Sequence, residues 1–131
     1  MSYSIRIKLL LLTSGLVSAG VGFAVLFLPV GFHAGSGIVL GGNLSLMSEM
    51  RAPGALLLAA GGFILASVVV ARWQYAATLV SAAVFLSYGL ARIYSIVADG
   101  MPHETLLTAA GVELFVGLLS VLMIPGLRKP A

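Results

Sequence analysis

The sequence Ser48-Glu49-Met50-Arg51-Ala52-Pro53-Gly54 places an acid and a base immediately before a long apolar segment that extends to about Ala71. Ser48 is predicted to cap a helix that starts at Glu49. Pro53 then falls in the first turn, where its missing N–H costs little. An apolar helix of this length is long enough to cross a bilayer. The stretch therefore predicts a membrane-spanning helix whose entry carries charged side chains.

The composition of the whole chain agrees with a membrane protein. Of 131 residues, 60% are apolar and only 8% are charged, whereas soluble domains carry about 25% charged residues. The chain has no cysteine, which excludes disulfides, thiolate metal sites and a cysteine nucleophile. Its net charge of +3 is dispersed along the chain, and the sequence contains no long run of basic residues. Nucleic acid is therefore not an expected partner.

Three further apolar segments have spanning length, so four spans are predicted in one transmembrane domain over residues 1–131. Their approximate bounds are 7–28, 49–71, 75–97 and 104–124. The first span is expected to be retained rather than cleaved as a signal peptide, because its apolar run is too long for one. The Gly-rich loop 30–48 still contains apolar residues and is expected to lie on the membrane face or to fold over the bundle. The predicted fold class is all-α, an integral membrane four-helix bundle of up-down topology.

The distribution of basic residues predicts the orientation. One end of the bundle would collect five bases and no acid, and the other end two bases and all four acids. The five are Arg6, Lys8, Arg72, Arg128 and Lys129; the other two are Arg51 and Arg92. Both termini are therefore expected to be cytoplasmic, in a multi-pass membrane protein.

The third span carries a polar stripe at helical spacing, which is expected to face the bundle interior because hydrocarbon offers no hydrogen-bond partners. Its members are Gln74, Thr78, Ser81, Tyr88, Arg92, Ser95 and Asp99, with Phe85 in the gap.

Glu113 lies about nine residues inside the fourth span, and an antiparallel hairpin brings Arg92 within its reach. Arg51 enters from the same side and is the competing partner, and a Glu113 without a partner would bind a proton instead. Intramembrane ionisable residues mark a substrate, proton or lipid site, although such a pair also serves to fasten two helices together. The candidate binding residues are Glu49, Arg51, Tyr88, Arg92, Asp99 and Glu113.

Other features favour helix packing over chemistry. Small residues recur at helical spacing and allow helices to approach closely. The clearest sets are Ser14, Ser18 and Gly22 in the first span, Ala55, Ala59 and Gly62 in the second, and Ala109, Gly117 and Ser120 in the fourth. His33 and His103 are isolated, so no metal is expected. No cofactor motif and no catalytic set is recognisable.

Several of these motifs resemble a bacterial family of small four-span membrane proteins known as domain of unknown function 4345. The pieces that match are Ser48–Gly54, Tyr88–Arg92 with Ser95, Asp99–Pro102, and Glu113-Leu114, and the similarity extends over nearly the whole chain. The resemblance implies four helices and places the same polar residues at the centre of the family pattern. It implies no activity.

Three functions remain open from the sequence. The first is a non-enzymatic accessory or scaffold subunit of an inner-membrane assembly, with a membrane-protein partner or as a homo-oligomer. The second is a small proton-coupled transporter or lipophile-binding protein, with Glu113 as the protonatable group and Arg92 or Arg51 as the anion-holding group. The third is a membrane-embedded enzyme acting on a lipid or quinone. Its acid and base candidates are Glu49, His33, Asp99 and Glu113.

Overall fold

A computed structural model describes residues 1–128 and is all-helical over that range. Its helices are α1 (Tyr3–Phe27), α2 (Pro29–Ala34), α3 (Leu44–Val69), α4 (Gln74–Asp99) and α5 (Glu104–Leu127), with a 3-10 turn at Ala71–Trp73. Lys129, counted above among the bases of one end, lies outside the described residues.

Four of these helices, α1, α3, α4 and α5, are long and apolar enough to cross a membrane. The expected all-α, multi-pass class is therefore confirmed, and the predicted spans differ from these helices by at most five residues at any end. Large apolar side chains lie exposed along their outer faces, among them Leu16, Phe23, Leu56, Phe115 and Leu122. In water such a surface would aggregate, whereas in a bilayer it contacts lipid.

The start of α3 differs from the prediction. The helix begins at Leu44, and the capping side chain is that of Asn43, which accepts a hydrogen bond from the Leu46 N–H at 3.0 Å. Ser48 is thus an interior residue, and Pro53 lies more than two turns inside the helix. Proline was a misleading start signal, because a membrane helix tolerates an interior proline when neighbouring groups accommodate the freed backbone.

Two other helix ends also differ from the predicted positions. The third span was expected to end at about residue 97, but α4 continues to Asp99, and Gly100 ends that helix with a φ of +103°, a conformation that favours glycine. The fourth span was expected to end at about residue 124, just before Pro125, but this proline lies within the last turn of α5 and the helix continues to Leu127. Here too the proline rule failed inside a span, for the reason given for Pro53.

Helices α1 and α3 pack closely through glycine. A Cβ atom on Gly22 would lie 2.7 Å from the carbonyl oxygen of Gly54, and one on Gly61 would lie 2.7 Å from the Cα of Ala19. Later residues of α1 contact earlier residues of α3, so the two helices run antiparallel. The small residues that the sequence analysis singled out in α3, namely Ala55, Ala59 and Gly62, do not form this interface and are exposed. Periodicity identifies a helix face without saying which helix packs against it.

Helices α4 and α5 form the second close pair. Gly89 packs against Leu114, and Gly117 packs against Leu86. Lower in the same interface, the hydroxyls of Ser81 and Ser120 lie 2.9 Å apart and share a hydrogen bond. These contacts also run antiparallel along the two helices.

The two helix pairs join at one end of the bundle, which we call the closed end. Its core consists of the buried residues Ile7, Leu11, Ile64 and Ala77, with Met123 and Leu127 among the side chains packed against it. The Tyr3 hydroxyl donates a hydrogen bond to the Met123 carbonyl and ties the start of α1 to the end of α5. Toward the opposite end the pairs are separated by a cavity.

The close approach of α1 and α3 gives a first prediction. Gly61→Leu should lower the free energy of unfolding by about 2 kcal/mol or more, because its side chain meets the backbone of α1. The matched control is Gly62→Leu on the neighbouring position, where a Cβ meets nothing within 4 Å. Thermal unfolding of the two variants in the same detergent measures the difference. Equal melting temperatures would contradict this packing.

Candidate functional site

The cavity between the helix pairs has a volume of about 620 Å³ and is lined by all five helices. Its deeper part, toward the closed end, is apolar and is formed by side chains such as Val17, Leu57, Val84 and Phe85. Phe32 and Val112 line it and are also 41% and 43% exposed, so the cavity is open to the surroundings. An apolar cavity of this size with a few polar groups has the usual properties of a small-molecule site.

Arg92 and Glu113 form a bidentate ion pair on the wall of this cavity. The Arg92 Nε donates to Glu113 Oε2 at 2.8 Å, and its Nη2 donates to Glu113 Oε1 at 3.1 Å. The side chain of Arg92 is 29% exposed and that of Glu113 is 14% exposed. The expected pairing of these two residues is confirmed. The parallel geometry of the two bonds fixes the guanidinium plane relative to the carboxylate.

The polar stripe of α4 leads to this ion pair. Thr78, Ser81 and Phe85 are buried, as expected, and Tyr88 and Arg92 follow on the same face and line the cavity. The last two members of the stripe, Ser95 and Asp99, are exposed and hydrogen-bond each other at 3.3 Å. The stripe therefore faces inward only up to Arg92, because α4 extends beyond the packed part of the bundle after that residue.

Helix α2 and the loop after it cover the mouth of the cavity, as one reading of the sequence expected. His33, Ser36 and Ile38 line it from above. The Thr105 hydroxyl donates to the Gly35 carbonyl at 3.1 Å and fastens this cover to the start of α5. Polar side chains of this cover and polar side chains of α4 thus line the same cavity.

The orientation of His33 follows from its one hydrogen bond. Its Nδ1 lies 2.8 Å from the Pro29 carbonyl oxygen, which only accepts, so Nδ1 carries the proton. In the neutral imidazole Nε2 is then an acceptor.

Three of the candidate binding residues lie away from the cavity. Arg51 donates a hydrogen bond to the Leu26 carbonyl at the end of α1 and so does not compete for Glu113. Glu49 is exposed, and Asp99 is exposed at the end of α4. All three lie toward the end opposite the closed end, but only Tyr88, Arg92 and Glu113 of the six line the cavity.

Sequence reasoning missed the contribution of the cover. Ser36 and Thr105 were not singled out, and His33 was considered only as an isolated histidine or a possible acid or base. No periodic signal marks loop residues, so these contacts had no sequence signature. Within residues 1–128, no three side chains of the types that bind metal come together as a metal site.

The ion pair gives a second prediction. Arg92→Leu alone should destabilise the protein by about 1–3 kcal/mol, because it leaves the Glu113 carboxylate in the cavity wall without its partner. The pair is partly exposed, which places the loss below that of a fully buried one. The double variant Arg92→Leu, Glu113→Leu should recover most of the loss. Asp99→Leu, which removes an exposed carboxylate, is the control. Thermal unfolding measures all four proteins, and a double variant less stable than the single one would contradict the pairing.

Comparison with known proteins agrees with the resemblance noted in the sequence. No curated protein and no solved structure gives a significant match. One family model matches residues 7–124, which is most of the chain and includes the four long helices apart from their outermost turns. The chain belongs to the family described as Domain of unknown function (DUF4345).

Proposed function

We propose that the protein is a membrane-embedded binding protein for a small amphipathic molecule. The observation that carries this proposal is the cavity of about 620 Å³ that contains the Arg92–Glu113 ion pair. This volume is within the range of about 300–1,000 Å³ that is typical of small-molecule sites. Ionisable groups inside a membrane protein are costly and usually functional, which supports the same conclusion.

The ionisable groups of the cavity lie toward its mouth, and its deeper part is mainly apolar. Arg92, Glu113 and Tyr88 lie beside the cover formed by His33 and Ser36. Val84 lies eight residues from Arg92 along α4, so the apolar part extends about 12 Å beyond the ion pair. A molecule with a polar head and an apolar chain fits this gradient.

Access from the bilayer follows from the exposed lining residues. Val112 on α5 and Phe32 on α2 each contribute to the cavity and to the outer surface. A lipophile dissolved in the membrane therefore reaches the cavity without crossing water. Binding for transport and binding for storage or presentation share this site.

The accessory or scaffold role expected from the sequence is the second candidate. It is supported by the outer face of α3, where Ala55, Ala59 and Gly62 are exposed at helical spacing. Such a face permits close packing of a further helix. A membrane-protein partner or a second copy of the chain would use it.

A membrane enzyme is supported less well. Of its four acid and base candidates, His33 and Glu113 line the cavity, whereas Glu49 and Asp99 lie outside it. The Glu113 carboxylate is moreover held by Arg92 on both oxygens, so a substrate would have to compete with the guanidinium for it.

For the membrane orientation we propose an up-down bundle with both termini in the cytoplasm of a bacterial cell. Arg6, Lys8, Arg72 and Arg128 support it, because all four lie toward the closed end of the bundle. All four acidic residues lie on the other half, which is then the outer half. Positive residues concentrate on the cytoplasmic side of bacterial membrane proteins.

Ligand binding gives a third prediction. Native mass spectrometry of the protein in mild detergent should show a discrete added mass of a small molecule. Val84→Trp fills the apolar part of the cavity and should abolish that mass. Ala83→Trp, at the adjacent exposed position, is the matched control and should retain it. A bare wild-type mass, or equal binding by both variants, would contradict the proposal. An added protein mass would instead favour the accessory role.

The orientation gives a fourth prediction, which the absence of cysteine makes simple to test. A single cysteine introduced by Met101→Cys, an exposed position between α4 and α5, should react with a membrane-impermeant maleimide in intact cells. Ala71→Cys, exposed in the turn before α4, should react only after permeabilisation. The reverse pattern would invert the proposed topology.

A further inference from the structure

The charge balance of the cavity points to the class of head group that it accepts, and this inference rests on the proposed function. Of the side chains that line the cavity, four are ionisable: Arg92, Glu113, Tyr88 and His33. The positive charge of Arg92 is compensated by Glu113 through two hydrogen bonds. The ion pair therefore adds no net charge to the polar part of the cavity.

This neutral region still offers unused hydrogen-bonding groups. The ion pair uses the Arg92 Nε–H and one N–H of Nη2, which leaves the second N–H of Nη2 and both N–H groups of Nη1 for a ligand. The Tyr88 hydroxyl forms no hydrogen bond with residues 1–128 and lies one turn from Arg92. On the cover, the Nε2 of His33 is an acceptor. Hydrogen-bonding groups of α4 and of the cover therefore line the same cavity.

An anionic head group is disfavoured in such a site. It would have to lose its hydration on entering an apolar cavity, which is expensive for a full charge. The attraction of Arg92 is already offset by the Glu113 carboxylate, which would repel a second anion at short range. An uncharged head with both a carbonyl and a hydroxyl loses far less hydration and matches the free donors and the acceptor.

We propose that the cavity selects single-chain lipids with an uncharged, hydrogen-bonding head group, of the type of a monoacylglycerol, over lipids with an anionic head. The head carbonyl accepts from the free N–H groups of Arg92. A head hydroxyl donates to the Nε2 of His33, and the chain occupies the apolar space around Val84 and Phe85. The Arg92–Glu113 pair thus acts as a neutral, fixed donor group and not as an anion trap.

Two probes with the same chain length test this selectivity in nanodiscs of phosphatidylcholine. Monopalmitoylglycerol is uncharged, and hexadecyl sulfate is anionic at every accessible pH. The wild-type protein should bind monopalmitoylglycerol at least about tenfold more tightly, a difference of about 1.4 kcal/mol. Equilibrium binding of the radiolabelled probes measures both dissociation constants.

Charge substitution then provides the decisive comparison. Glu113→Gln gives the cavity a net positive charge and should improve the affinity for hexadecyl sulfate at least about tenfold, which reduces the preference for the uncharged probe by the same factor. Glu49→Gln makes the same chemical change at an exposed position outside the cavity and should leave the ratio of the two constants unchanged. The double variant Arg92→Gln, Glu113→Gln restores neutrality and should keep the uncharged preference. If the single variant does not fold, the ratio of the two constants in the wild-type protein still tests the selectivity.

The outcomes separate this inference from the proposed function. Equal affinities, or tighter binding of hexadecyl sulfate by the wild type, overturn the selectivity while ligand binding stands. The ion pair has no such role in the selectivity if the Glu113→Gln variant or the double variant does not show the expected ratio of the two dissociation constants. If neither probe binds and the Val84→Trp variant behaves as the wild type does, the binding function itself is overturned.

Discussion

Hydrocarbon offers no hydrogen-bond partner to a polar group, and every polar side chain within the spans is arranged under this constraint. Buried serines and threonines donate to carbonyls of their own helix, as Ser67 does to Ile64 at 2.6 Å and Thr78 to Gln74 at 2.7 Å. Ser18 instead donates across the interface to the Leu57 carbonyl at 2.8 Å. Within the described chain, no buried side-chain nitrogen or oxygen lacks a partner. The Arg92–Glu113 pair is the charged form of the same solution.

The way the four long helices pair determines where space remains. Glycine lets α1 approach α3, and α4 approach α5, so each pair is close-packed along its length. The two pairs share a core only at the closed end, around Leu11 and Ile64. Toward the other end the cavity separates them, and the cover formed by residues 29–43 lies over its mouth. The cavity is thus a consequence of pairing by glycine and of joining the pairs at one end.

Much of the fold was predictable, because the signals for it are local. Apolar length gave four helices, and the spacing of Tyr88 and Arg92 gave the inward face of α4. Helix ends were less predictable, since Pro53 and Pro125 lie inside helices where the usual rules place them at ends. Of the candidate site, Arg92 and Glu113 were found because charge within a span is rare. Ser36 and Thr105 were missed because contacts that involve a loop leave no periodic pattern in the sequence.

By itself, the sequence determined that the chain is a helical membrane protein and that Glu113 needs a basic partner, Arg92 or Arg51, or a proton. Hydropathy and the cost of a charge in hydrocarbon are properties of residues, so no structure is required to read them. Only the tertiary structure decided that Arg51 turns to the Leu26 carbonyl, that Ala55 and Gly62 face outward, and that a cavity adjoins the ion pair. Those features depend on which helix faces pack together. Several faces of each span are apolar or small, so the choice among them is made only by the fit of whole helices.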